Sequence, residues 1–351
     1  MVRFGLLTSP GIGSAAEHEL RLRGVEFTEF KSLWMRNHDL IIFSAEPSAL
    51  KHLLKLRSVE DIFVILSEEV AVETKPELGK LTPRKLRTQI LESLPLLPPR
   101  KTKRATTHVA VFVKQDQDQE IYRREIEESV SNYLLKEFNR WKVMEPADIE
   151  FWAFYVKKKI TLGMRLTKIS FRQRTYRDED RPGSLRPTIA GALVALSDPS
   201  PGEIVLDPMC GAGTILLERG AWGDGARLIG IDIDSNAIDL ARASADKARI
   251  EIEFLDQDST EEGVYEELTG TVSRIITNLP FGKQFTTDNL TELYSRALHA
   301  WKPLLKPGGK MILLTSDEKA LRSAAKGQGL FVKPIEKARI KGLEAQVFLL
   351  G

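Results

Sequence analysis

A glycine-rich turn and two isolated carboxylates carry the first chemical signal in this chain. In Asp207-Pro208-Met209-Cys210-Gly211-Ala212-Gly213-Thr214, two closely spaced glycines let backbone approach a ligand at the start of a helix. Asp232, followed by Ile233, offers a carboxylate able to accept from two ribose hydroxyls. Asp258, in Asp256-Gln257-Asp258-Ser259, is placed to accept from an adenine amino group. Each aspartate alone is as well explained by a loop or a helix cap. Their occurrence together, each after an apolar strand, argues for a ligand with ribose and adenine parts. A nicotinamide dinucleotide is the competing ligand, but its fingerprint needs a third glycine where this chain has Leu216. Cys210 is assigned to packing, because a buried cysteine behaves as a small hydrophobe.

The second signal is Thr277-Asn278-Leu279-Pro280-Phe281-Gly282. It resembles the (Asn/Asp)-Pro-Pro-(Tyr/Phe) motif of methyltransferases that modify planar amino groups. The chemistry accounts for these residue types. The lone pair of a nucleobase amino nitrogen is delocalised into the ring, so it attacks a sulfonium methyl poorly. The Asn278 side-chain oxygen and the Leu279 carbonyl can both accept from that NH2 and turn its lone pair toward the methyl, while Phe281 stacks on the base. Positioning and electrostatics carry such a reaction, and no strong general base is required. Carbon-5 methylation of a pyrimidine would need a cysteine nucleophile here, and there is none.

The elements that must position these residues can be read from the apolar rhythm. From Gly202 onward, strand candidates at 204–207, 228–232, 252–255, 274–278 and 311–315 are separated by helical segments, the sign of a parallel α/β sheet. A final pair near 331–339 and 345–350 has no helix between and reads as a hairpin. Five parallel strands and a hairpin suit a seven-stranded Rossmann-like methyltransferase sheet better than a dehydrogenase. Upstream, 2–8 and 39–43 read as strands and 15–23 and 48–56 as helices of a small α+β unit spanning 1–65. A second unit, 66–170, is expected to hold a strand at 109–113, a long amphipathic helix from Tyr122 to Trp141, and strands at 148–156 and 159–164. Residues 171–182 read as a linker into a catalytic domain at 183–351.

Charge separates the two halves, although the net formal charge is only +2. Residues 1–177 hold 31 Lys and Arg against 23 Asp and Glu, and residues 178–351 hold 20 against 26. A basic half beside an acidic one suggests that the first half meets a polyanion, with charged faces that merely solvate the surface as the plain alternative. The Pro-rich stretch before Arg100, Lys101, Lys103 and Arg104 presents a basic loop to solvent or phosphate. No apolar run approaches a membrane span, one cysteine excludes an intramolecular disulfide framework, and the five histidines show no ligand-like pairing. The expectation is a cytoplasmic protein, a monomer, without a metal site or a membrane partner.

Gly183-Ser184-Leu185-Arg186-Pro187-Thr188-Ile189-Ala190-Gly191-Ala192-Leu193, then Asp207 to Thr214 and Asn278 to Gly282, resemble the catalytic domain of the THUMP-containing RNA methyltransferases. Residues 1–65 and 66–170 are similar to that family's ferredoxin-like and THUMP modules. The resemblance implies S-adenosyl-L-methionine as cofactor, tRNA as partner, and N2 of guanosine as target. Its Leu-Pro-Phe variant resembles the group acting on guanosine 6 of the acceptor stem. It also implies a cofactor set of Asp207, Pro208, Gly211, Ala212, Gly213, Thr214, Asp232, Ile233, Asp258, Ser259 and Asn278. Asn278, Leu279, Pro280 and Phe281 would be catalytic, and Phe281 and Arg186 would join the basic loop in holding substrate. Adenine N6, another tRNA guanosine, and a non-catalytic RNA-binding protein are the alternatives.

Overall fold

The apolar rhythm of the second half yields the expected sheet, whereas the first half folds differently from its expected division. The computed structural model describes every residue except 100–105, 117–119, 169, 177–184, 262, 264, 265, 282–286, 341 and 342. Two compact units emerge, Met1–Gly13 with Arg23–Phe171, and Ser14–Leu22 with Arg172–Gly351. In chain order the first half holds β1 (Val2–Thr8), α1 (Gly13–Leu22), β2 (Thr28–Trp34), β3 (Asp39–Ala45), α2 (Leu50–Leu53), β4 (Asp61–Ala71), α3 (Leu86–Ser93), β5 (Thr107–Gln115), α4 (Arg123–Glu137), β6 (Trp141–Val143), β7 (Ile149–Val156) and β8 (Lys159–Arg165). The second half holds α5 (Pro187–Leu196), β9 (Ile204–Asp207), α6 (Thr214–Gly220), β10 (Arg227–Asp232), α7 (Ser235–Ala248), β11 (Glu253–Asp256), β12 (Val272–Asn278), α8 (Thr287–Trp301), β13 (Leu305–Thr315), α9 (Glu318–Gly327), β14 (Val332–Ile340) and β15 (Leu343–Leu350).

In the first unit, eight strands form one sheet in the order β2-β3-β1-β4-β8-β7-β5-β6. The boundary expected between residues 65 and 66 falls inside β4. That strand pairs with β1 at Phe4↔Val64 and with β8 at Phe63↔Arg165, so it joins what the sequence separates. An apolar cluster of Leu7, Met35, Leu40, Ile42, Phe63, Ile65, Phe154 and Val156 crosses the same line. The edge strands are the elements that periodicity misses. β2 is half-exposed and carries a register shift between Thr28 and Lys31, which breaks apolar alternation. β6 begins at Trp141, where the helix from Tyr122 was expected to end, and that helix stops earlier, at Glu137. Phe138 leaves helical geometry at φ −129° and ψ 89°, and Trp141 then pairs in parallel with Thr107. Stacking of Phe138 on Trp141, 3.9 Å between ring centroids, favours the turn over another helical turn.

The second unit is a seven-stranded sheet ordered β11-β10-β9-β12-β13-β15-β14, parallel except for β15. β9 has β10 on one side and β12 on the other, so the strand order reverses between β9 and β12 and opens a crevice at their carboxyl ends. α5 is apolar all round and buried from Pro187 to Ala195, as befits a helix enclosed in a core. Below the crevice, Leu206, Ile229, Ile231, Ile275, Met311, Leu313 and Phe348 of the sheet pack with Tyr294, Leu298 and Trp301 of α8. Helix α1, expected within the first unit, groups with this one.

Candidate active site

The turn after β9 is held by hydrogen bonds that glycine makes possible. Gly211 and Gly213 adopt φ of 52° and 71°, the left-handed region that side chains disfavour. A side chain at Gly213 would also meet Ala241 Cβ and the Phe254 ring at 3.2 Å, whereas at Gly211 it would enter open space. Gly213 is therefore glycine for packing, and Gly211 lines a cradle. Gly211 N–H donates to Asp232 Oδ2 at 2.7 Å, and Asp234 N–H donates to Asp232 Oδ1 at 3.0 Å. Both carboxylate oxygens of Asp232 are thus oriented, with lone pairs remaining for further donors. Ile233 beside it is 72% exposed, an apolar side chain left on the rim.

Asp207 is 1% exposed, and its carboxyl accepts from Met209 N–H at 3.3 Å. Burial, with the nearby Asp232 charge adding to it, pushes its pKa up to about 7. Pro208 and Thr214 are buried, while Ala212 is half-buried in the turn. Cys210 is 8% exposed, and burial followed by the charges of Asp207 and Asp232 raises its thiol pKa well above the usual value. A thiolate nucleophile is disfavoured there.

After β11, Asp258 Oδ1 accepts from Thr260 N–H at 2.9 Å and from Thr260 Oγ1 at 2.7 Å, and Arg296 lies 3.4 Å from Oδ2. Burial works against this carboxylate, but the Thr260 donors and the Arg296 charge outweigh it and hold its pKa below the usual range. Ser259 is buried, and its carbonyl accepts from the Trp301 indole at 2.9 Å. Sequence reading missed these partners because both lie on α8, far along the chain.

At the end of β12 the pattern changes. Leu279 N–H donates to Leu314 O at 3.0 Å, and the Pro280 carbonyl accepts from the Tyr294 hydroxyl at 2.7 Å. Asn278 Oδ1 is buried and, among the described residues, has no hydrogen-bond partner. Phe281 is half-exposed. The structure thus gathers the strand-end residues around one crevice. Arg186 is half-buried at the N-cap of α5. Arg100, Lys101, Lys103, Arg104 and Gly282 lie outside the described residues, as do Gly183 and Ser184. Among the described residues no cluster of His, Cys, Asp or Glu could hold a metal, and no helix is long and apolar enough to cross a membrane.

The open cradle at Gly211 and the oriented carboxylates fit a ligand with an adenosyl part, and the orphaned acceptor fits an amino donor beside it. Residues 174–346 match the family model described as RMKL-like, methyltransferase domain. The chain is 28% identical over 234 residues to the bovine (Bos taurus) tRNA (guanine(6)-N(2))-methyltransferase THUMP3, covering 62% of this chain and 46% of that protein. It is 32% identical over 190 residues to the bovine U6 snRNA (guanine-N(2))-methyltransferase THUMPD2, covering 53% and 36%. The matches thus span less than half the length of each of these relatives. The fold is similar to that of TrmN from Thermus thermophilus, with a TM-score of 0.75 and 24% identity over 100% of this chain and 99% of that one. Residues 174–346 are thus similar to the methyltransferase domains that this RMKL-like model describes.

Proposed function

We propose that the chain methylates N2 of a guanosine in tRNA, using S-adenosyl-L-methionine, with position 6 of the acceptor stem as the target. The single observation that carries the reading is Asn278 Oδ1, an acceptor buried at the end of β12 with no partner among the described residues. An acceptor left unpaired in this way costs stability, about 1–3 kcal/mol, unless something completes it. An exocyclic NH2 is a donor of the right kind. The Leu279 carbonyl would take its second proton, and Phe281 would stack on the base. On the other side, Asp232 would accept the ribose hydroxyls beside Ile233, Asp258 the adenine amino group, and the Gly211 cradle would admit the ligand's close approach. When bound, S-adenosyl-L-methionine supplies an electrophilic methyl. The residues of the chain orient the amino nitrogen and shed bulk water.

The first unit, with its basic excess, would hold the RNA, and its two expected parts would correspond to ferredoxin-like and THUMP modules. Arg186 and the basic loop at 100–104 would add phosphate contacts. The U6 snRNA named for THUMPD2 motivates a second substrate with the same target atom. The deciding test incubates the full chain and methyl-labelled cofactor with tRNA or U6 snRNA and analyses the nucleosides by mass spectrometry. Label on N2-methylguanosine from tRNA supports the reading, and mapping must place it at position 6. Label on adenosine or on protein would overturn the substrate while leaving amino methylation standing.

A further inference from the structure

We propose that Tyr294 is a positioning residue that locks the Leu279-Pro280-Phe281 backbone for the acceptor base. The catalytic consequence rests on the function proposed above, but the clamp itself does not. The Tyr294 side chain is 0% exposed on α8, and its hydroxyl lies 2.7 Å from Pro280 O and 2.9 Å from Thr315 Oγ1. Thr315 Oγ1 in turn accepts from Asp317 N–H at 3.1 Å. One orientation satisfies every contact. Asp317 N–H donates to Thr315, the Thr315 hydroxyl donates to Tyr294, and the Tyr294 hydroxyl donates to the Pro280 carbonyl. Bonds aligned in one direction polarise and strengthen one another. Burial pushes the Tyr294 pKa up to about 12, so the hydroxyl remains a donor throughout the neutral range.

The clamp matters because of the backbone that it holds. The proline ring fixes φ of Pro280 near −65° but leaves ψ open. Tethering the Pro280 carbonyl removes that remaining freedom, and ψ of Pro280 sets where Phe281 stands relative to Asn278. Position 279 is leucine where the resembling motif has its first proline, and its backbone would be looser for that. Its N–H, which a proline lacks, donates to Leu314 O at 3.0 Å on β13. Two bonds to the neighbouring strand and helix therefore restore the stiffness that a second proline would have supplied. Helix α8 also carries Arg296 and Trp301, which hold the Asp258-Ser259 loop. One helix thus bridges the acceptor side of the crevice and the adenine side.

Tyr294→Phe removes the hydroxyl and keeps the ring in the core. In the full chain, single-turnover methylation should slow about tenfold. Cofactor affinity by calorimetry and the RNA concentration for half-maximal rate should stay within about twofold, as expected when orientation alone is lost. Amide hydrogen exchange of the 275–281 segment should quicken by about the same factor as methylation slows. Thr315→Val should give a smaller loss of rate, and Thr315→Ser should restore it. Parent-like rate and parent-like exchange in Tyr294→Phe would overturn the proposal. So would a rate loss fully accounted for by weaker cofactor binding. If the parent chain methylates no RNA, the proposed function fails, and the exchange measurement alone decides the clamp.

Discussion

The two sides of the crevice treat their polar groups in opposite ways. At the ends of β10 and β11, Asp232 and Asp258 are each met by two donors at 2.7–3.0 Å before any ligand arrives. At the end of β12, Asn278 Oδ1 is buried and unpaired among the described residues. Satisfied carboxylates are anchors, held rigid by donors of the chain itself. An unsatisfied amide is a poised acceptor whose cost is recovered only when a donor enters. The proposed methyl transfer needs both, because a cofactor must be held in place while a substrate amino group is pulled into line.

The sharpest way to break this contrast is Asn278→Ala. Loss of one preorganised acceptor should lower kcat by about 10²–10³ with cofactor affinity little changed. Thermal stability should hold or rise, because an unpaired buried oxygen disappears. An active variant would remove the acceptor role, and a strongly destabilised one would show that Asn278 is structural.

Asp207→Asn tests the floor of the site. A carboxyl with its folded pKa raised from the usual 3.8 to about 7 holds a proton that the unfolded chain has already released. Stability attributable to Asp207 is therefore undiminished below about pH 4, falls as pH rises from there to about 7, and stays low above that. Replacement by neutral Asn should stabilise the protein at pH 8, on the order of 4 kcal/mol, with the gain vanishing near pH 4. Denaturant titrations at the two pH values check this. Equal effects at both would mean that Asp207 titrates normally.

On the anchor side, Asp232→Ala should weaken S-adenosyl-L-methionine binding by roughly 1.5–3 kcal/mol per lost charge-assisted bond, read by titration calorimetry. It should also loosen the turn, since Gly211 N–H loses its acceptor, so a lower Tm should accompany weaker binding. That pairing separates it from Asn278→Ala, in which rate falls and stability does not. The smallest effect belongs to Phe281. Phe281→Ala should forfeit stacking worth ~1–3 kcal/mol in base capture, and Phe281→Tyr should keep most of the activity because the aromatic face remains. Equal losses in the two variants would argue against stacking.

Which parts of this arrangement could be read in advance follows from how local each signal is. The strands at 204–207, 228–232 and 274–278 announce themselves as short apolar runs closed by Asp or Asn, and the hairpin at 331–350 by the lack of a helix. The aspartates, the glycine turn and Asn278 follow those runs directly, so their place at the strand ends was legible with them. β2 and β6 were not, because an edge strand carries charge and irregularity in place of alternation. Nor was the joining of the two expected N-terminal units, which depends on β4 pairing both with β1 near the start of the chain and with β8 far beyond it.

Residue types and their order alone determined that the second half is a doubly wound sheet and which side chains stand at its carboxyl ends, since strand period and turn chemistry act over a few residues. Tertiary structure alone decided what those side chains meet. Gly211 reaches Asp232, Tyr294 reaches Pro280 and Trp301 reaches Ser259 only after strands and helices pack. The same packing buries Asp207 and leaves Asn278 Oδ1 without a partner among the described residues. Desolvation and hydrogen-bond satisfaction are properties of surroundings drawn from distant parts of the chain, and no local pattern of residues encodes them.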